Sequence, residues 1–319
     1  MGIKRFVLNF DFISGVVIIL FFALVAIIAP FIAPASSENP YLVRIATSNQ
    51  QPEPPQPDHP LGTLPGKYDI LYGLVWGTRM AFLVGTLITL GRVLIGVMVG
   101  MISGYAGGFP DAFLMRLTDA FLAIPVVAMG AVVMALFNNP MVVTGRLTGF
   151  LLSDRTTQLI LLTLVVFGWM QYARLIRGNM LVEREKDYIL AATSVGATNG
   201  RILFKHLLPN VTQGLFVLMA SEVGAMVVLV SVFRFIGLVI STSGVMMADW
   251  GEMLSASRTW IVPSSNNAFE YWYTYLPASM AIVLFSVGWN LVGDGLRQAL
   301  DPTYKPARTF LLAKTRKQR

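Results

Sequence analysis

Few residues in this chain are equipped for chemistry. There is no cysteine, and the only histidines are His59 and His206. A thiolate nucleophile, a disulfide scaffold and a cysteine-ligated metal are therefore ruled out, and a zinc site is not expected. A nucleotide-binding P-loop needs Gly-x4-Gly-Lys-Ser/Thr, so that backbone N–H groups, the lysine and a magnesium-binding hydroxyl converge on phosphate. The nearest imitation, Gly62-Thr-Leu-Pro-Gly66-Lys67, is one residue short and places Tyr68 where the hydroxyl is needed. The chain is read as a non-enzyme that hydrolyses no ATP, and neither histidine is placed to serve an intramembrane hydrolase.

What remains is charge inside apolar runs: Arg92, Glu222 and Arg234. An ionisable side chain at the centre of a membrane helix costs about 2.5–3.5 kcal/mol on insertion scales, so it faces a cavity or a partner. Glu222 follows Pro209 by thirteen residues, roughly 20 Å along a helix. It is the leading candidate for lining a solute path, together with Met226 and Arg234. The alternatives for Glu222 are a buried ion pair or a polar contact with another subunit. Arg234 is a further ~18 Å on, which excludes a direct pair with Glu222 on one straight helix. Arg92 is expected to pair or snorkel rather than bind a solute.

A second group of residues suggests mechanical rather than chemical work. The run Glu183-Arg184-Glu185-Lys186-Asp187 leads into Tyr188-Ile189-Leu190-Ala191-Ala192-Thr193-Ser194-Val195-Gly196-Ala197. This pattern predicts a short amphipathic helix over about 187–197, closed by glycine. Its expected apolar face is Tyr188, Ala191, Ala192 and Val195, which can lie in the groove of another protein or on lipid headgroups.

These residues are carried by a chain of 319 residues that is 55% hydrophobic and only 13% charged, with a mean hydropathy of +0.64. Such a composition belongs in lipid. Long runs with at most one charge cover Phe12–Ser37, Met80–Tyr105, Thr118–Phe137, Thr156–Ala173, Pro209–Val232 and Tyr271–Gly293. The expected fold is all-α and polytopic, with six transmembrane helices. The net charge of +7 resides at the ends of these runs rather than in one patch, so no nucleic-acid partner is expected. With the N-terminus inside, sixteen Lys and Arg fall on the inner side and six outside, leaving out Arg92 and Arg234. Both termini are thus expected in the cytoplasm.

The chain divides into a membrane anchor over 1–34, an external segment over 35–78, a five-helix core over 79–296 and a basic tail over 297–319. Ala33-Pro34-Ala35 imitates a signal-peptidase site, but the apolar core Ile13–Ile32 is too long for a signal peptide and reads as an uncleaved anchor. The proline cluster at 51–57 is expected to be extended and polyproline-like, either a spacer or a lip for an outer partner. Phe269 to Tyr275 is read as an interfacial aromatic belt. No internal repeat is apparent, which disfavours a self-sufficient secondary transporter.

Leu190-Ala191-Ala192-x3-Gly196 and Leu207-Leu208-Pro209-Asn210 fit the frame of a known cytoplasmic motif, Glu-Ala-Ala-x3-Gly followed by a Leu-Pro. By this motif the chain resembles the inner-membrane permeases of binding-protein-dependent ABC importers, in particular the second permease of the dipeptide, oligopeptide and nickel group. Further matches in the family's order are His59-Pro-Leu-Gly-Thr63, Leu83-Val-Gly85, Gly104-Tyr-x-Gly-Gly108, Arg116-x2-Asp119, Trp250-Gly-x-Met-Leu254 and Gly293-Asp-Gly-Leu-Arg297-x3-Asp301-Pro302. The resemblance covers nearly the whole chain. There are departures: Leu190 replaces the motif's glutamate, Val230 stands where a glutamate is common, and Arg234 stands where a small polar residue is frequent.

The resemblance implies the type I permease fold of these importers, in the plasma (inner) membrane of a prokaryote. It implies a second homologous permease, two ATPase subunits that bind the ATP and magnesium, and an extracytoplasmic substrate-binding protein. This chain itself would carry no cofactor. The ATPase-coupling residues would be Asp187, Tyr188, Leu190, Ala191, Ala192, Val195, Gly196 and Ala197. The cargo would be a peptide or similar small solute, with oligosaccharide or nickel as alternatives. The competing reading from another class is an ion-coupled secondary transporter with Glu222 as its ion site.

Overall fold

The computed structural model describes residues 10–35, 41, 43, 51–66, 68–137, 155–212, 214–238, 246–261 and 269–300. The tail beyond residue 300, with its cluster of basic residues, and Lys4 and Arg5 lie outside the described residues. The described chain runs through α1 (Phe10–Ile32), a hairpin of β1 (Thr63–Leu64) and β2 (Tyr68–Asp69), α2 (Ile70–Ala106), α3 (Gly108–Leu122) and α4 (Val126–Phe137). It continues with α5 (Arg155–Val166), α6 (Met170–Glu183), α7 (Asp187–Ser194), α8 (Leu215–Phe235), α9 (Trp250–Ile261) and α10 (Trp272–Leu300). Between α7 and α8 lie a short turn, Asn199–Arg201, a π-helical turn, Ile202–Leu207, and an α-turn, Leu208–Val211.

Among the described residues, five candidate spans are long and apolar enough to cross a membrane: α1, α2, α5 with α6 as Thr157–Glu183, α8 and α10. The pair α3 and α4 makes a sixth when counted as one broken span. This is an all-α polytopic membrane protein, and the six expected runs map onto these crossings with changed ends.

The changes have local causes. The run expected over Thr118–Phe137 is two helices bent by 81°, because Pro125 lacks an N–H and turns the residue before it away from helix. The run expected from Met80 begins at Ile70, where the Asp69 carboxylate accepts from the Tyr72 N–H at 2.9 Å and caps the helix. The fifth span begins at Leu215 rather than Pro209. Left-handed Gly214, φ +82°, interrupts the chain between them.

Helices pack through small residues, as expected where lipid is as apolar as leucine. A Cβ at Gly15 of α1 would stand 2.8 Å from the Gly288 carbonyl of α10. One at Gly85 of α2 would stand 2.8 Å from the Val223 carbonyl of α8, and one at Gly224 of α8 the same distance from Ser286 of α10. Phe22, Trp250 and Phe285 fill the centre of this group, with ring centroids 5.5–5.7 Å apart.

The external segment departs from expectation over 56–66 and 68–69, where it forms turns and a hairpin rather than a free extended strand. Left-handed Gly62 and Gly66 let the chain reverse, β1 pairs antiparallel with β2, and the Thr63 hydroxyl accepts from the Glu53 N–H at 2.9 Å. The Tyr273 hydroxyl donates to the Pro52 carbonyl at 3.2 Å, fastening this fold to α10. Tyr273 is consequently buried, while Phe269 and Trp272 are exposed as a belt residue would be.

Candidate functional site

The short helix α7 is formed as its sequence suggests and stops by the expected device. Gly196 takes φ +81°, the Ala197 N–H donates to the Ala192 carbonyl at 3.1 Å, and the Gly196 N–H to the Thr193 carbonyl at 2.9 Å. This paired closure satisfies carbonyls that the helix end leaves open. Asp187 in the first turn complements the positive end of the helix.

The apolar face predicted for α7 is divided in two by the fold. Tyr188, Ile189 and Ala192 turn inward onto Met101, Ile176, Met180, Ile202 and Leu207, with Ile189 6% exposed. Leu190, at 59%, and Val195, at 85%, point outward, as do Ala191, Thr193 and Ser194. The expected grouping of Ala191 and Val195 with Tyr188 and Ala192 is thus corrected. Residues three and four apart are both neighbours on a helix, so it is burial that separates them, with 188 and 192 half-buried and 191 and 195 exposed.

Polar bonds fix the inner side. The Tyr188 hydroxyl donates to Glu183 Oε1 at 2.7 Å, and Asn210 Nδ2 donates to that hydroxyl at 3.1 Å and to the His206 carbonyl at 2.8 Å. Lys186 Nζ lies 2.7 Å from Glu183 Oε2. Burial, reinforced by the Glu183 carboxylate, holds the Tyr188 hydroxyl above the usual tyrosine pKa, so it stays a proton donor. An open groove of about 530 Å³ runs beside α7, lined by Tyr105, Arg184, Ile189, Leu190 and Leu207 among others.

Above α7, α6 lies backbone-close against α2. A Cβ at Gly100 would sit 2.6 Å from the Ala173 carbonyl, and one at Gly104 2.6 Å from Met180 Cβ. Arg184 Nη1 donates to the Gly104 carbonyl at 3.0 Å. Two ion pairs bind α3 to the same helix: Arg177 to both Asp111 oxygens, at 2.6 and 2.7 Å, and Arg174 to Asp119 at 2.5 Å. These contacts tie α7, through Tyr188 and Ile189, to α6, and α6 in turn to α2 and α3. Sequence reading did not single out Glu183, Ile189, Asn210 or the two Arg–Asp pairs. The charged run and the helix after it contain Glu183 and Ile189, and the Leu-Pro-Asn frame and the Arg116-x2-Asp119 match contain Asn210 and Asp119, but the sequence assigns none of them a role.

The three candidate path residues are turned into the chain's own packing. Glu222 pairs with Arg92, their side chains 11% and 7% exposed, and fully buried Tyr172 lies beside them. Glu222 is also only about 10 Å along α8 from the end nearest α7, because the helix starts later than expected. Met226 is buried among Met80, Val84, Ile88 and Phe233. Arg234, 1% exposed, meets Glu252 at 2.9 Å, Asp249 at 3.3 Å and the Thr157 hydroxyl at 2.8 Å. Asp249 in turn accepts from the Gly251 and Glu252 N–H groups and caps α9. Arg234 thus joins α5, α8 and α9. For Glu222 the fold shows the ion pair that its sequence left open as an alternative, and both charged residues are stabilised here by close partners rather than by water.

Residues 96–306 match the family model described as binding-protein-dependent transport system inner membrane component. The chain is 31% identical over 295 residues to the dipeptide transport system permease protein of Alkalihalophilus pseudofirmus, covering 92% of this chain and 86% of that protein. It is 30% identical over 288 residues to the oligopeptide transport system permease protein of Bacillus subtilis, covering 90% and 84%. It is 28% identical over 302 residues to the glutathione transport system permease protein of Pectobacterium atrosepticum, covering 95% and 90%.

Proposed function

The chain belongs to the family of binding-protein-dependent transport system inner membrane components, and from that premise we propose how it works within an importer. It is a transmembrane permease subunit of an ABC importer, and ATP hydrolysis belongs to partner subunits. In our reading α7 seats in a groove of one of two ATPase subunits, which bind ATP and magnesium. A second homologous permease completes the path and an extracytoplasmic binding protein delivers the cargo. Both termini face the cytoplasm.

The observation that carries this reading is the two-sided character of α7. Its inner side is held by Tyr188, Glu183, Asn210 and Ile189, while Leu190 and Val195 stand exposed. A helix so anchored, with Leu190 and Val195 free to seat in a groove, is suited to transmit a push. Cargo is read as peptide, by analogy with relatives named for dipeptide, oligopeptide and glutathione transport. The ion-coupled alternative is weakened because its proposed site, Glu222, is occupied by Arg92.

The test is reconstitution with candidate ATPases, a partner permease and a binding protein. A thiol cross-linker should join Val195→Cys to an ATPase subunit, and labelled dipeptide should enter vesicles only with MgATP. An impermeant thiol reagent should label Asp58→Cys from outside and spare Val195→Cys in the otherwise cysteine-free chain. Uptake driven by an ion gradient without ATPase subunits would overturn the proposal, and uptake of labelled oligosaccharide or nickel alone would overturn the peptide assignment.

A further inference from the structure

The fourth crossing is broken between α5 and α6 at Phe167-Gly168-Trp169. In an unbroken helix the Gly168 N–H would donate to the Leu164 carbonyl; here it turns to Val165 at 3.4 Å. A buried carbonyl left open is costly, and inside a membrane no water stands ready to take its place. Arg92, reaching across from α2, donates from Nε to the Leu164 carbonyl at 2.7 Å, and its Nη1 pairs with Glu222 of α8. Gly168 is what admits the guanidinium, since a Cβ there would collide with Arg92 Nε and Cζ. One side chain therefore closes the backbone gap while Glu222 neutralises its charge, and elements α2, α5 and α8 meet at a single point directly above α6.

We propose that Arg92 is a positioning residue for coupling: by holding the open Leu164 carbonyl, with Glu222 as counter-charge and Gly168 as the space it needs, it fixes the angle at which α6 leaves the break and hence the placement of α7. Neither Arg92 nor Glu222 contacts cargo in this scheme. The inference rests on α7 as the ATPase-docking element, and its consequence is specific. Displacing the guanidinium without altering any charge uncouples the transporter.

The experiment uses the assembled transporter in nanodiscs, with spin labels at Ile102→Cys on α2 and Val182→Cys on α6, both exposed in this chain. Four variants are compared: Gly168→Ala, Arg92→Met paired with Glu222→Gln, the combination of all three, and Gly196→Val as a separate probe of α7 docking. Gly168→Ala should broaden the distance distribution between the labels and lower binding-protein-stimulated MgATP turnover roughly tenfold, the size of one lost charged hydrogen bond. The neutralised pair should do the same, and the combination should be no worse than either, because all three remove one interaction. Unchanged label distances and turnover in Gly168→Ala would overturn the proposal, as would wild-type behaviour of the neutralised pair or additive effects in the combination. A silent Gly196→Val would instead remove the docking role of α7, while the label distances still decide the role of Arg92.

Discussion

Arg79 Nε of α2 donates to the Ala26 carbonyl of α1 at 2.5 Å, and Ala26 is the residue whose helical partner is missing because Pro30 has no N–H to give. Arg79 also lies over the Trp76 ring, 4.8 Å from its centroid, and Trp76 Nε1 donates to the Ala33 carbonyl at 2.9 Å. The proline that would weaken α1 is thus the point at which α1 is fastened to the core. Arg79→Met should destabilise the chain by about 1–3 kcal/mol through the open carbonyl. In a Pro30→Ala background, where the introduced alanine supplies the helical donor, the same replacement should cost markedly less. Thermal unfolding of the four proteins in detergent measures the difference, and equal costs would refute the link.

For α7 the three informative positions should fail for different reasons. Gly196→Val meets open space but must adopt a left-handed backbone, costing about 1–2 kcal/mol and misdirecting the exit from α7. Ala192→Trp should overpack the inner side by about 1–3 kcal/mol, lowering the stability of the isolated chain. Leu190→Asp should leave the isolated chain's melting unchanged and weaken only assembly with the ATPase. Comparing melting temperature with co-purification separates these outcomes.

Tyr188 supplies a pH signature. Its pKa is raised in the folded chain, so its contribution is complete below the ordinary tyrosine value of about 10 and is lost as pH rises through the folded value. A spin label at Val195→Cys should become more mobile only on alkaline titration. Tyr188→Phe should loosen that label at neutral pH, by about 1–3 kcal/mol of lost bonding at Glu183, and flatten the alkaline response.

The Arg177–Asp111 pair should behave as a clamp whose polarity is interchangeable. Asp111→Arg alone sets like charges together and should reduce transport and proteolytic resistance of α3. The exchanged double variant, Asp111→Arg with Arg177→Asp, should recover much of both. The pair is partly exposed, so about 1 kcal/mol of coupling in a double-mutant cycle is expected. A double variant as impaired as the worse single one would show that α3 is held by other means.

Read alone, the sequence determined the membrane class, the approximate crossings, the absence of a P-loop and the glycine stop of α7, because each depends on residues adjacent along the chain. Hydropathy sums neighbours, and Gly196 acts on its own backbone. It did not determine where runs break, which face of α7 is free, or what the intramembrane charges do. Arg92 and Glu222 are 130 positions apart, and Arg234 of α8 meets Thr157 of α5 and Asp249 and Glu252 at the start of α9. A lone glutamate in an apolar run looks like a path residue because its counter-charge is absent from its own run. Only the tertiary fold, which brings α2 against α8 at glycine contacts, decided that this charge is paired with Arg92.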